Sequence, residues 1–188
     1  AHYIEVYNKN STSSGAEVQY SIAYGHKTGL GSEDFTNAAG ALGKSPSRNI
    51  YSQYRQLVYG SETTNFNFTD YTPDDIYVIN VNRSRYKHSL KPGSLNIKIG
   101  HLTLTDDSIT TSGSSTVTNA GRQFNIVSGS SGVRIGSNTV QVLGSGSYGF
   151  FYPDSGFMIL NPAALGGYAD GIAAVVPDIS ANTQGDNH

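Results

Sequence analysis

Cysteine is absent from this chain of 188 residues, which excludes disulfides, thiolate metal sites and cysteine nucleophiles together. Tryptophan is also absent, and methionine occurs once. Charge is sparse, with Asp, Glu, Lys and Arg making up 14% of the residues and a formal net charge of −2. That balance argues against a nucleic-acid partner, because a polyanion is met by a clustered excess of Lys and Arg. The densest basic group is Arg83, Arg85, Lys87, His88 and Lys91. It is short and reads as a solvated face. No apolar run approaches the ~20 residues that a membrane-spanning helix needs, so no membrane partner is expected.

Gly, Ser, Thr and Asn fill the place of the missing charge. Such residues cost less to desolvate than Lys or Glu, so they suit surfaces covered by neighbouring subunits. The length fits a single domain with its own core. The strand signal begins at Tyr3 and the chain closes on the polar run Ser180 to His188. These ends suggest a module of a longer polypeptide, with residues 1–165 as one β-rich domain and 166–188 as an extension or linker.

Period-two alternation predicts most of the elements. Tyr3 to Tyr7 reads as a strand, and Val18, Tyr20, Ile22 and Tyr24 place four large side chains on one strand face. Phe66 and Phe68 suggest a short strand, and Ile76 to Val81 a buried one. Leu95, Ile97 and Ile99 alternate, as do Leu102 and Leu104. Phe124–Val127, Val133–Ile135 and Val140–Leu143 follow as further strands. Gly149 to Leu160 reads as a hairpin turning at Pro153–Gly156.

One helix stands out over about residues 46–58. Ser45 suits its N-cap and Pro46 its first position. Ile50, Tyr51, Tyr54, Leu57 and Val58 form its apolar stripe, and Gly60 is placed to end it. Asn82 is read as capping a short helix through Leu90. Asn161-Pro162 opens a single turn that Gly166 closes. The expected fold is therefore α+β and mainly β, with antiparallel strands, this amphipathic helix and one or two short ones.

Chemistry is harder to find. His2, His26, His88, His101 and His188 include no i, i+4 pair and no His-x-His, the spacings that would let a helix or strand hold zinc. Glu33-Asp34, Asp74-Asp75 and Asp106-Asp107 are adjacent pairs. Neighbouring side chains on a strand point to opposite faces, whereas glycoside hydrolysis needs two carboxylates facing one bond. Turn formation is the better reading of the last two. Gly129-Ser130-Ser131-Gly132 and Gly144-Ser145-Gly146-Ser147 share only composition with a nucleophile elbow. Gly25 to Ser32 lacks the spacing of a phosphate loop. No catalytic residue, metal ligand or cofactor is expected, and the chain reads as a non-enzyme.

Tyrosine is abundant, with 13 copies. Tyr20, Tyr24, Tyr51, Tyr54 and Tyr77 lie within predicted elements and read as core. Tyr59, Tyr71 and Tyr168 read as exposed, and exposed Tyr serves either protein interfaces or sugar stacking. Together with Thr28, Leu30 and Phe35 of the loop Gly25 to Gly43, they form the candidate interface set. The loops Gly25–Gly43 and Asp106–Asn119 are expected to pack against neighbours, at least one becoming ordered only in the assembly.

Several stretches, in order, carry a family resemblance. They are Tyr20 to Ser32, Ser47 to Tyr54, Ile76 to Arg83, and Phe124 to Ser130 leading on to Gly149-Phe150-Phe151-Tyr152-Pro153-Asp154-Ser155-Gly156. Across roughly residues 3 to 165 the chain resembles large tail- and baseplate-associated structural proteins of T4-like myophages, especially cyanophages. The resemblance implies a structural component of a tailed-phage virion, made in the host cytoplasm and working through protein–protein interfaces. It also implies other virion proteins as partners, in a homo- or hetero-oligomer. The alternative is a receptor- or glycan-binding domain of a tail fibre.

Overall fold

The computed structural model describes residues 3–30, 46–69, 71–100, 102–109, 115–135 and 147–166. The expected strand Val140–Leu143 and the proposed cap Ser45 lie outside the described residues.

The fold is α+β and mainly β, one curled antiparallel sheet with two helices among the described residues. Its strands are β1 (Tyr3–Tyr7), β2 (Val18–His26), β3 (Asp75–Val81), β4 (Ile97–Ile99), β5 (Leu102–Asp106), β6 (Thr116–Thr118), β7 (Gly121–Ser130), β8 (Val133–Arg134), β9 (Gly149–Tyr152) and β10 (Phe157–Leu160). They lie in the order β1-β2-β3-β10-β9-β7-β5-β4, with β6 and β8 paired to β7 as side hairpins. The helices are α1 (Pro46–Tyr59) and α2 (Pro162–Gly166).

The pleat divides the apolar residues between two cores. On one face, Tyr24, Tyr77, Leu104, Ile126, Phe151 and Met158 pack together beneath α2. On the other, Ile76, Val78, Phe150, Tyr152, Phe157 and Ile159 meet α1 and the segment carrying Phe66 and Phe68. Register enforces the split: Ile22 opposes Ile79, which opposes Met158, which opposes Phe151. Shifting any of these strands by one residue would exchange the two faces.

Helix α1 forms as its stripe predicts. Tyr51 and Val58 are buried, Ile50 and Tyr54 half-buried, while Leu57 stays largely exposed. The helix comes close because β2 carries Gly25, where a Cβ would lie 2.9 Å from the Tyr51 backbone nitrogen. Gly60 ends it at φ +63°, its amide donating to the Gln56 carbonyl at 2.9 Å.

Two expectations need correction. Phe66 and Phe68 are both buried, but they form no ladder. The Phe68 amide donates to the Tyr71 carbonyl and the Phe68 carbonyl accepts from Ser147 N. The alternation there serves burial, with ring centroids of Phe68 and Phe150 stacked at 4.8 Å. The helix expected from Asn82 to Leu90 is only one 3₁₀ turn, Arg83–Arg85, capped by the Asn82 side chain. Tyr86 is extended and sends its hydroxyl to the Ser155 carbonyl. Arg83 donates to the carbonyls of Tyr86 and Lys87, taking acceptors that a continuing helix would use. The second short helix forms as read, with Asn161 accepting from Ala163 N.

The Tyr-rich core predicts a particular alkaline response. Burial pushes the Tyr59 phenol up to about 12 from the ordinary 10.0, and Tyr152 is raised by the same cause. Between the two values the unfolded chain has lost a proton that the folded chain retains. Stability therefore falls as pH rises through that window, by roughly 3 kcal/mol for Tyr59. Phenolate absorbance and far-ultraviolet circular dichroism followed together should show core tyrosines ionising with unfolding. Early, reversible ionisation of every tyrosine in the native state would contradict this.

Candidate interaction surfaces

Glu33-Asp34 lies outside the described residues; the pairs Asp74-Asp75 and Asp106-Asp107 serve structure. Asp106 is fully buried at the end of β5, where its carboxylate accepts from Gly93 N at 2.6 Å, Leu95 N at 3.1 Å and the Ser108 hydroxyl. It thus holds the Pro92–Gly93 turn against the sheet. Asp107 accepts from both the backbone and the side chain of Asn125 at 2.9 Å, and burial raises its pKa. Asp74 pairs with Lys27 at 2.6 Å, which holds the Asp74 carboxyl below its usual range. Asp75 is half-buried and shifted upward by desolvation. Replacing Asp106 with alanine should cost about 3 kcal/mol, because it strips the acceptor from the Gly93 and Leu95 amides. Chemical denaturation checks this, and a variant as stable as the parent would exclude the structural role.

His26 lies across the ladder from Asp75. It is buried, and desolvation lowers its pKa. Its Nδ1 sits 3.1 Å from both the amide and the hydroxyl of Thr28, so it closes the turn leaving β2. Among the described residues no cluster of His, Cys, Asp or Glu could hold a metal ion, and no helix is long and apolar enough to cross a membrane.

The candidate interface set is dispersed. Leu30 is 63% exposed, although its carbonyl is tied to the buried Ser47 hydroxyl at 2.9 Å. Thr28 is exposed next to His26. Tyr71 is half-buried. Tyr59, expected to be exposed, is half-buried with its ring 5.3 Å from that of Phe66. It ends α1 on the side that packs on the sheet, which its place in the chain does not disclose. Phe35 and Tyr168 lie outside the described residues.

Three further surfaces emerge. At the β7–β8 hairpin Ile109, Val133 and Ile135 are 63, 67 and 66% exposed. Ile109 leans over this hairpin, its Cδ1 2.3 Å from where a Cβ on Gly132 would stand, while Val133 and Ile135 alternate about Arg134 in and just beyond β8. The polar residues Ser108, Ser130 and Ser131 surround them in sequence. Lone apolar residues in Ser/Gly-rich loops were the available signal, and their alternation disguised them as strand interior.

The second surface is on β1, where Tyr3, Glu5 and Tyr7 share one strand face. Both phenols donate to Glu5, at 2.8 and 2.6 Å, which holds the Glu5 carboxyl below its usual range.

The third is an apolar cavity of about 490 Å³ under the curl of the sheet. Ile4 of β1 and Ile97 and Ile99 of β4 stand on its walls, with Ile79, Met158 and Leu165 among its other lining residues.

Comparison with protein-family models, curated proteins and solved structures finds no match.

Proposed function

We propose that the chain is a structural module of a large assembly, of the tail or baseplate class of tailed-phage virion proteins, acting through protein–protein interfaces. The observation that carries this reading is the Ile109–Val133–Ile135 patch. Single exposed apolar residues are normal, but three of them at one hairpin, with Arg134 as the charge between Val133 and Ile135, offer a neighbour desolvation energy. The low charge of the chain and its resemblance to myophage structural proteins point the same way. The work of such a module is mechanical: a stiff, doubly packed sheet presents the patch and the exposed Leu30 to neighbouring subunits in a virion.

The test is the mass of the native particle containing this chain, with the patch probed separately. Val133→Asp should leave folding stability within about 0.5 kcal/mol, since the side chain is already in water, while abolishing incorporation into the particle. A native mass near 20.0 kDa, or normal incorporation of the variant, would sink the proposal.

The Tyr3–Glu5–Tyr7 row favours a second reading, a glycan-binding domain of a tail fibre. Aromatic faces beside a carboxylate can stack on a sugar and accept from its hydroxyls. Saturation-transfer NMR against host-surface glycans, with Tyr3→Ala as control, decides it. Signal lost in the variant supports the reading, and the absence of any signal rejects it.

A further inference from the structure

Strand β2 ends at His26, a buried imidazole placed where the chain turns towards Leu30. The Thr28 amide lies 3.1 Å from its Nδ1. A backbone N–H can only donate, so Nδ1 is the unprotonated nitrogen and the ring is the neutral tautomer with its proton on Nε2. The Thr28 hydroxyl stands at the same distance, 3.1 Å, and can give its proton to the same nitrogen. Asn and Asp close turns by this i to i+2 pattern. Here the closing side chain is one that titrates near neutral pH.

The turn is tied to the principal helix. The Gly29 amide donates to the His26 carbonyl at 3.1 Å, with Gly29 at φ +96°. The next carbonyl, that of Leu30, accepts from the buried Ser47 hydroxyl in the first turn of α1 at 2.9 Å. The state of one imidazole therefore bears on the anchoring of the exposed Leu30 side chain to α1.

Protonating Nδ1 would set an N–H against the Thr28 N–H. The hydroxyl can rotate and accept instead, but the amide loses its acceptor and a cation is left in a covered place. The surrounding charges pull in both directions. Asp75 faces the ring across the ladder, and with the neighbouring Asp74 it attracts an imidazolium, whereas Lys27 repels one. On the α1 side Tyr51 packs against Gly25. Its phenol is raised above the ordinary value and so stays neutral in acid, and Arg55 lies over its ring. Desolvation outweighs the two carboxylates, so His26 is harder to protonate in the closed turn than in water. Asp75 is itself half-buried and harder to ionise, which weakens its pull as pH falls.

We propose that His26 is an acid-operated latch, whose protonation releases the Thr28 turn and loosens Leu30 from α1. The Lys27–Asp74 pair at 2.6 Å persists in mild acid, because the Asp74 carboxyl is held below its usual range. Motion therefore begins at Thr28. The open turn binds the proton more readily than the closed one, so closure is fully favoured above about pH 6.5 and loses ground as pH falls below that value. At about pH 5 the opening equilibrium rises by up to about thirtyfold, the limit for a ring that stays neutral while closed. The latch does not depend on the assembly reading above and is measured on the isolated full chain.

In ¹⁵N-labelled protein, protection of the Thr28 and Gly29 amides against solvent exchange, corrected for the intrinsic pH dependence of exchange, should fall about tenfold or more from about pH 7.5 to about pH 5. The fall should follow the titration of the His26 ring protons. His26→Asn keeps an acceptor in the place of Nδ1 and removes the titration, so its protection should stay level over the same range. Protection in the parent that stays level while His26 titrates overturns the proposal, and this arm needs no variant. A fall of equal size in His26→Asn also overturns it and assigns the response to the carboxylates of Asp74 and Asp75.

Discussion

Replacing Phe157 with alanine is expected to destabilise the fold by roughly 3–5 kcal/mol, the range for a large aromatic removed from a close-packed interior. Phe157 is 2% exposed and opens β10 directly after the hairpin turn. Its ring stacks on Tyr152 across the ladder, centroids 4.6 Å apart, and meets Tyr54 of α1 edge-on at 5.3 Å. The side chain therefore joins the hairpin to the helix, and its loss leaves a cavity between elements that cannot both move inward. For a chain of this length the melting temperature should fall on the order of 10 °C. Phe157→Leu, which retains most of the volume, should lose clearly less. Urea unfolding of both variants checks the ordering, and equal losses would mean that the ring contacts contribute nothing beyond apolar area.

Gly149→Ala should be comparably damaging although it adds only a methyl group. A Cβ at this position would stand 2.3 Å from the Ile159 carbonyl oxygen and 3.0 Å from Leu160 Cα. Both obstacles are backbone of β10, the strand paired with Gly149 through Leu160. On its other side Gly149 pairs with Ile126 of β7, so the residue is held between two ladders and cannot swing away. Relief requires parting β9 from β10 at the centre of the sheet. A loss of about 3 kcal/mol or more is expected, accompanied by faster amide exchange in Phe150 and Ile159. An alanine variant with parental stability would show that the ladder yields easily at this point.

Local features were legible where the chemistry was local. The Pro46 start, the apolar stripe and Gly60 specify α1 within a few residues of one another, and Pro153–Gly156 specifies the β9–β10 turn. The Asn161 cap of α2 is of the same kind. Phe66 and Phe68 misled because alternation reports burial on one side, and burial can come from a helix and a facing ring instead of a ladder. The stretch after Asn82 misled because its cap is real but Arg83 and Tyr86 divert the following backbone through contacts with distant or non-helical partners.

The interaction surfaces were less legible. Asp106 and Asp107 were readable as turn-forming, yet the turn that Asp106 holds begins at Pro92–Gly93, on a different part of the chain. Tyr59 was read as exposed from its place at a helix end, whereas its direction depends on how α1 is rotated on the sheet. Ile109, Val133 and Ile135 are far apart in sequence or disguised by alternation, and only the β7–β8 hairpin gathers them.

The sequence by itself determined the class of fold, the principal helix, the closing hairpin and the scarcity of charge, since each follows from short-range periodicity, turn chemistry or composition. Tertiary structure decided that β10 inserts between β3 and β9, that the sheet curls until β1 and β4 share one apolar cavity, and which tyrosines are covered. Those outcomes rest on pairing between strands far apart in the chain, where register is chosen by how both faces pack at once and no local pattern encodes the partner.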